Sequence, residues 1–116
     1  IADAILGALA LGDIGKHFPD SDPEWSGVSS MLILEVVRAL AAAEGARIVN
    51  VDATLIAEAP KIAPHAEKMR ANLAHALGIE PERVSVKATT NEKLGAVGRG
   101  EGIAAMAVAS VEVPRR

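Results

Sequence analysis

Apolar residues at Ile1, Ile5, Leu6 and Leu9 recur near helical spacing, and Gly12 is a natural stop, so residues 1 to 11 are predicted helical. Residues 12 to 28, GDIGKHFPDSDPEWSGV, show no period and carry Gly, Pro and Asp throughout, which predicts a long loop. Ser29 or Ser30 can cap the next helix, MLILEVVRALAAAEG, which ends at Gly45. Residues 46 to 58, ARIVNVDATLIAE, are rich in β-branched positions and stop before Ala59-Pro60, as a strand does. Pro64 suits a first helical turn, and HAEKMRANLAHALG runs helical to Gly78. ERVSVKAT and IAAMAVASVEV read as two further strands, the last closed by Pro114 and two arginines.

The order is helix, loop, helix, strand, helix, strand, loop, strand. The simplest architecture is an α+β two-layer sandwich, with helices packed on one face of a mixed sheet. At 116 residues the chain suits one domain, 1–116, and it shows no internal repeat or linker. Composition adds that the core must be built from Ala, Val, Ile and Leu, because Phe18 and Trp25 are the only aromatics. So small a core makes oligomerisation a reasonable way to hide more surface. A net charge of −3 and scarce aromatics argue against nucleic-acid partners. The absence of cysteine removes disulfides, thiolate nucleophiles and Cys-based zinc sites. IADAILGALALG is too short for a membrane span and is interrupted by Asp3. Position 1 is Ile rather than Met, which leads us to expect a longer encoded protein.

Three stretches have the residues for chemistry. In KATTNEKLGAVGRGEG (87–102), Thr89-x-x-Glu92 has the form of a capping box. It is either a plain cap and turn, or a cradle whose free N–H groups bind an anion. In the second case Thr89 and Thr90 add hydroxyls, Lys87, Lys93 and Arg99 add charge, and Glu92 needs a divalent cation beside it. AEAPKIAPH (57–65), with prolines flanking Lys61, is either a rigid connector or a fixed shelf that reads a flat base. LGDIGKHFPDSDP (11–23) is either a solvated loop or a sugar-diol site at Asp13 with a lid carrying Phe18 at its tip. His17, His65 and His75 form no ligand pair by spacing, and no Ser-His-Asp arrangement is legible.

Together, DAILGALALGDIGKHFPDSDP, NVDATLIAEAPKIAPH, VSVKATTNEKLG and GRGEGIAAMAV resemble the 2-C-methyl-D-erythritol 2,4-cyclodiphosphate synthases of the non-mevalonate isoprenoid pathway, over essentially the whole chain. The resemblance implies a cytoplasmic bacterial enzyme. It converts 4-diphosphocytidyl-2-C-methyl-D-erythritol 2-phosphate into the cyclic diphosphate and releases CMP, with zinc and magnesium or manganese as cofactors. It implies a homotrimer around a central sheet-lined axis, with active sites between neighbours. Ala57, Ala59, Pro60, Lys61, Ile62 and Ala63 would form the cytosine pocket, largely through backbone groups. Asp13, Ile14 and Gly15 would hold the ribose. Phe18, Pro19, Asp20, Ser21 and Asp22 would form a flap over the methylerythritol part. Ala88, Thr89, Thr90 and Asn91 would meet the nucleotide and phosphates, with Thr90 stabilising the transition state and Glu92 holding the magnesium or manganese. Arg99 and Glu101 would border a central cavity able to take an isoprenoid diphosphate.

Two departures accompany the resemblance. The zinc-ligating Asp-x-His pair and later His of such enzymes belong upstream of Ile1, as does a His-Ser pair that closes the site. A missing N-terminal segment with further strands is therefore expected, leaving an exposed sheet edge in this chain. Asp3 would stand one helical turn after the later His, either as its hydrogen-bonding partner or as an ordinary exposed acid. Ala96 stands where such enzymes often carry an aromatic. The alternative function is a trimeric cytidine-nucleotide-binding module without turnover.

Overall fold

The computed structural model describes residues 1–25 and 27–115. Helix α1 (Ala2–Ala8) buries Ala2, Ile5 and Leu6. It ends two residues before Ala10, whose φ of 57° breaks the helix ahead of Gly12. Residues 12 to 25 are more ordered than their composition suggests. Asp13 caps a single turn, α2 (Ile14–His17), by accepting from Lys16 N at 2.9 Å, and Pro23–Trp25 form a 3₁₀ turn. Helix α3 (Ser30–Ala43) starts at the expected cap, with Ser29 Oγ accepting from Met31 N.

Strand β1 (Arg47–Ile56) is central in a mixed sheet of order β2-β1-β3. Helix α4 (Ala66–Leu77) crosses to β2 (Val84–Thr89), which runs parallel to β1, and β3 (Ala104–Glu112) returns antiparallel on the other side. A register shift between Ile48 and Asn50 changes the parity of β1. Ile48, Val51 and Ala53 therefore all point into the core, though alternation alone would send Ile48 the other way. The Val49 carbonyl at this bulge accepts from Arg83 Nη1 at 3.3 Å.

The buried residues of α1, α3 and α4 meet the inner face of β1 and β2 in one cluster that includes Leu6, Val37, Val51, Leu77 and Val84. Each such side chain contributes roughly 1.5–3 kcal/mol by leaving water. Arg70 of α4 locks the helix to the start of β2, donating to the carbonyls of Val84 and Pro81 at 2.7 and 2.9 Å. The outer face carries Asp52, Thr54 and Lys87 beside Met106 and Val108, which are 67% and 68% exposed. The α+β sandwich of the sequence reading is the observed fold. Among the described residues, no helix is long and apolar enough to cross a membrane.

Candidate active site

Parallel pairing brings two of the three stretches together. Ile56 lies opposite Thr89, so β1 and β2 end side by side, and Ala57 N donates to Thr89 O at 3.1 Å. Residues 57–63 and 89–94 thus leave adjacent strands at their carboxyl ends, where open sheets place ligands. From β1 come buried Ala57, exposed Ala59, Pro60, Lys61 and Ala63, and half-buried Ile62; the Ala59–Pro60 peptide is cis.

The capping box predicted at Thr89 does not form. Glu92 and Lys93 have φ of 53° and 61°, and Leu94 N closes the turn on Asn91 O at 2.9 Å. Thr89 Oγ1 instead donates to Thr90 O, and among the described residues the Glu92 carboxylate makes no bond back to Thr89. The one-turn helix that follows, α5 (Gly95–Gly98), has Leu94 at its N-cap and no side-chain cap. Non-glycine residues are strained at positive φ, and three sets of contacts hold this pair there. Glu58 Oε1 accepts from both Asn91 N (3.0 Å) and Lys93 N (3.1 Å). Thr90 Oγ1 accepts from Glu92 N at 3.2 Å, and Asn91 Nδ2 donates to Leu94 O at 2.8 Å. Finally, a Cβ on Gly98 would lie 2.2 Å from the Lys93 carbonyl carbon, so only glycine lets α5 approach the turn.

These bonds overturn a second expectation. The backbone N–H groups of Asn91, Glu92, Lys93 and Leu94 all have protein acceptors, so they are not a free cradle for an anion. What the turn offers instead is side chains. Ala88, Thr89, Thr90, Asn91 and Glu92 are all exposed. Thr90 Oγ1 accepts one bond and keeps its proton to donate. Among the described residues nothing pairs with the Glu92 carboxylate.

Two of the three expected cations are engaged elsewhere. Lys87 binds Asp52 on the outer sheet face, and that hydrogen bond holds the Asp52 carboxyl below its usual range. Arg99 makes a two-pronged pair with Glu101 at 3.0 and 3.1 Å. Lys93 is exposed on the turn itself.

The third stretch stands apart. Asp3 accepts from Ile14 N at 2.7 Å, a role neither reading of Asp3 foresaw; it ties α1 to the start of α2 beside Asp13 and Gly15. His17 Nε2 donates to Leu11 O at 2.7 Å. Phe18 is not the tip of a lid. It is 6% exposed, belongs to the core cluster and packs edge-on against Trp25, with ring centroids 4.8 Å apart. The segment after it turns through Asp22, whose N–H donates to Pro19 O and whose side chain accepts from Glu24 N, leaving Asp20 and Ser21 exposed. Ile14, Gly15, Phe18, Pro19 and Asp20 line a cavity of about 490 Å³ that includes no residue of 57–63 or 88–92. Within the chain, this cavity and the strand-end stretches are lined by different residues.

For metals, the described residues contain no group of three or more His, Asp or Glu that could hold an ion alone. A single unpaired carboxylate does fit magnesium or manganese, which bind through one or two carboxylates plus substrate phosphates. It does not fit zinc, which takes three or four protein ligands.

Comparison with known proteins agrees with this geometry. The YgbB family matches residues 1–112. The 2-C-methyl-D-erythritol 2,4-cyclodiphosphate synthase of Geobacter metallireducens is 61% identical over 112 residues, which is 97% of this chain and 71% of that protein. The bifunctional enzyme IspD/IspF of an Anaeromyxobacter species is 62% identical over 109 residues; that covers 94% of this chain, but the chain spans only 28% of that relative's length. The solved structure of Plasmodium falciparum IspF in complex with CDP superimposes with a TM-score of 0.83 at 34% identity, covering 99% of this chain and 68% of the other. With sequence, fold and the paired strand ends in agreement, the chain belongs to the YgbB family.

Proposed function

We infer that this chain carries the cyclodiphosphate synthase activity that its single-function relatives bear by name. The observation that carries the reading furthest is the 90–92 turn. It holds a proton-bearing hydroxyl and an unpaired carboxylate rigidly at the parallel strand ends, next to the 57–63 stretch. The bound CDP of the Plasmodium structure supports a cytidine nucleotide as the ligand there.

In the reaction, an oxygen of the substrate's 2-phosphate forms a bond to the β-phosphorus. The bond from that phosphorus to the CMP oxygen breaks, and CMP leaves with the electron pair. No protein nucleophile is needed. Its contribution is positioning and charge stabilisation. Backbone groups of Ala57–Ala63 hold the base. Thr90 donates its hydroxyl proton in a hydrogen bond to a phosphoryl oxygen that gains charge. Glu92 holds magnesium or manganese, which when bound neutralises phosphate charge. No step is assigned to zinc.

The lining of that cavity and of the strand ends by different residues supports a homotrimer in which Asp13, Gly15 and the 18–22 segment of one subunit face the strand ends of a neighbour. Exposed Met106 and Val108 on the outer face support sheet-to-sheet packing at the axis. An isoprenoid diphosphate at that axis would have to compete with Glu101 for Arg99.

The test supplies full-length protein with the diphosphocytidyl substrate, zinc and magnesium, and measures CMP release. We expect turnover in the parent. In Glu92→Gln we expect a loss beyond the roughly 100-fold that a partner outside the coordination sphere is worth, at unchanged stability. CDP binding without any CMP release would overturn the reading in favour of a non-catalytic module.

A further inference from the structure

The sequence gives the Glu58 side chain no role of its own, yet it makes the only side-chain hydrogen bonds that join the two strand-end stretches among the described residues. It lies between Ala57 and Ala59, in the stretch assigned to the base. Its Oε1 accepts from amides 33 and 35 residues away, at Asn91 and Lys93. These two amides flank Glu92, whose φ of 53° exists only while the turn is held. Apart from the Ala57 N to Thr89 O bond at its base, the other described contacts of the turn, through Thr90, Asn91 and Gly98, stay within residues 90–98.

We propose that Glu58 is a positioning residue: its side-chain oxygen fixes the Asn91–Lys93 turn and so sets where the Glu92 carboxylate stands relative to the base-binding stretch. The proposal rests on the metal role assigned to Glu92. Both bonds use one oxygen, so the amide oxygen of glutamine can replace it. Aspartate keeps the charge but is one carbon too short to reach both amides. A direct ligand role for Glu58 would reverse this order, with Asp the better substitute.

The experiment compares Glu58→Ala, Glu58→Gln and Glu58→Asp in the full-length protein. Hydrogen exchange at the Asn91 and Lys93 amides reads the strut itself. Titration with Mn²⁺ in the presence of CDP, followed by the loss of free-ion paramagnetic signal, reads its consequence. In Glu58→Ala and Glu58→Asp we expect faster exchange at both amides and about 10-fold weaker Mn²⁺ binding; in Glu58→Gln both return close to the parent. The kcat is expected to fall more than KM rises, because the base contacts stay in place. If Glu58→Ala does not fold, Glu58→Asp against Glu58→Gln decides. Unchanged exchange, unchanged Mn²⁺ affinity in Glu58→Asp, or failure of Glu58→Gln to restore either would overturn the proposal. If Glu92→Gln also leaves Mn²⁺ binding unchanged, the metal assignment falls with it, whereas a positional failure leaves Glu92→Gln impaired.

Discussion

The 13–25 segment and the 89–94 turn are both polar and exposed, and both bear residues assigned to substrate, but they are held in opposite ways. In the first, nearly every bond is local: Asp13 to Lys16, Asp22 to Pro19 and Glu24, Trp25 to Asp22. Among the described residues, the Asp3 contact, the His17 bond to Leu11 O and the packing of Phe18 and Trp25 tie it to the rest. In the second, the decisive acceptor lies more than thirty residues away, on another strand. A segment with mainly local bonds can change shape between its anchors at little tertiary cost. A turn with residues at positive φ and a distant clamp cannot. The molecule thus sets a locally bonded segment beside a turn clamped from another strand.

The strongest challenge to this division is Phe18→Ala. If Phe18 anchors the flap in the core, its removal costs about 3–5 kcal/mol of stability, read by denaturant unfolding with Trp25 fluorescence as the probe. A cost near zero would remove Phe18 as an anchor of the segment.

The same division explains what could be read from the sequence. Ser29 and Asp13 lie beside the amides they cap, so capping chemistry finds the first directly, and the second was marked as a functional candidate though its cap was missed. Periodicity marks Ile5 and Leu6, both buried, since helical faces are local patterns. Thr89-x-x-Glu92 misled because the same spacing serves a cap and an outward turn, and the choice is made by Glu58, which sequence proximity does not reveal. The bulge at Val49 was invisible for a related reason. It carries no Gly or Pro, and its carbonyl is satisfied by Arg83 from another element. The fold class was legible because it follows from the order of elements. The turn was not, because it follows from one tertiary bond pair.

A smaller effect probes the fixed region from below. In Gly98→Ala the new methyl would meet Lys93 backbone, which has no flexible end to yield. Overpacking of this kind costs about 1–3 kcal/mol, and amide exchange at Lys93 should rise with it. Gly7→Ala is the contrast, because a methyl there meets nothing within 4 Å and the residue already has helical backbone in the last turn of α1. It should stabilise by roughly 0.5–1 kcal/mol. If both substitutions behave alike, close approach does not constrain the turn.

The smallest expected effect separates the clamp from its surroundings. Lys87 pairs with Asp52 across β1 and β2, just below the turn, and its hydrogen bond lowers the Asp52 pKa. A carboxyl lowered on folding contributes stability that is present above its unfolded pKa and is lost as pH falls through the folded one. Lys87→Met should therefore raise the Asp52 titration toward its ordinary range, seen by carbon-detected carboxyl shifts, and should flatten the acid limb of the stability profile slightly. Both groups are solvent-exposed, so screening keeps the change small. Exchange at Asn91 and Lys93 should not move, because neither amide bonds to this pair. If it does move, the sheet's outer charges hold the turn together with Glu58, and the fixed region extends down the strands rather than ending at a single carboxylate oxygen.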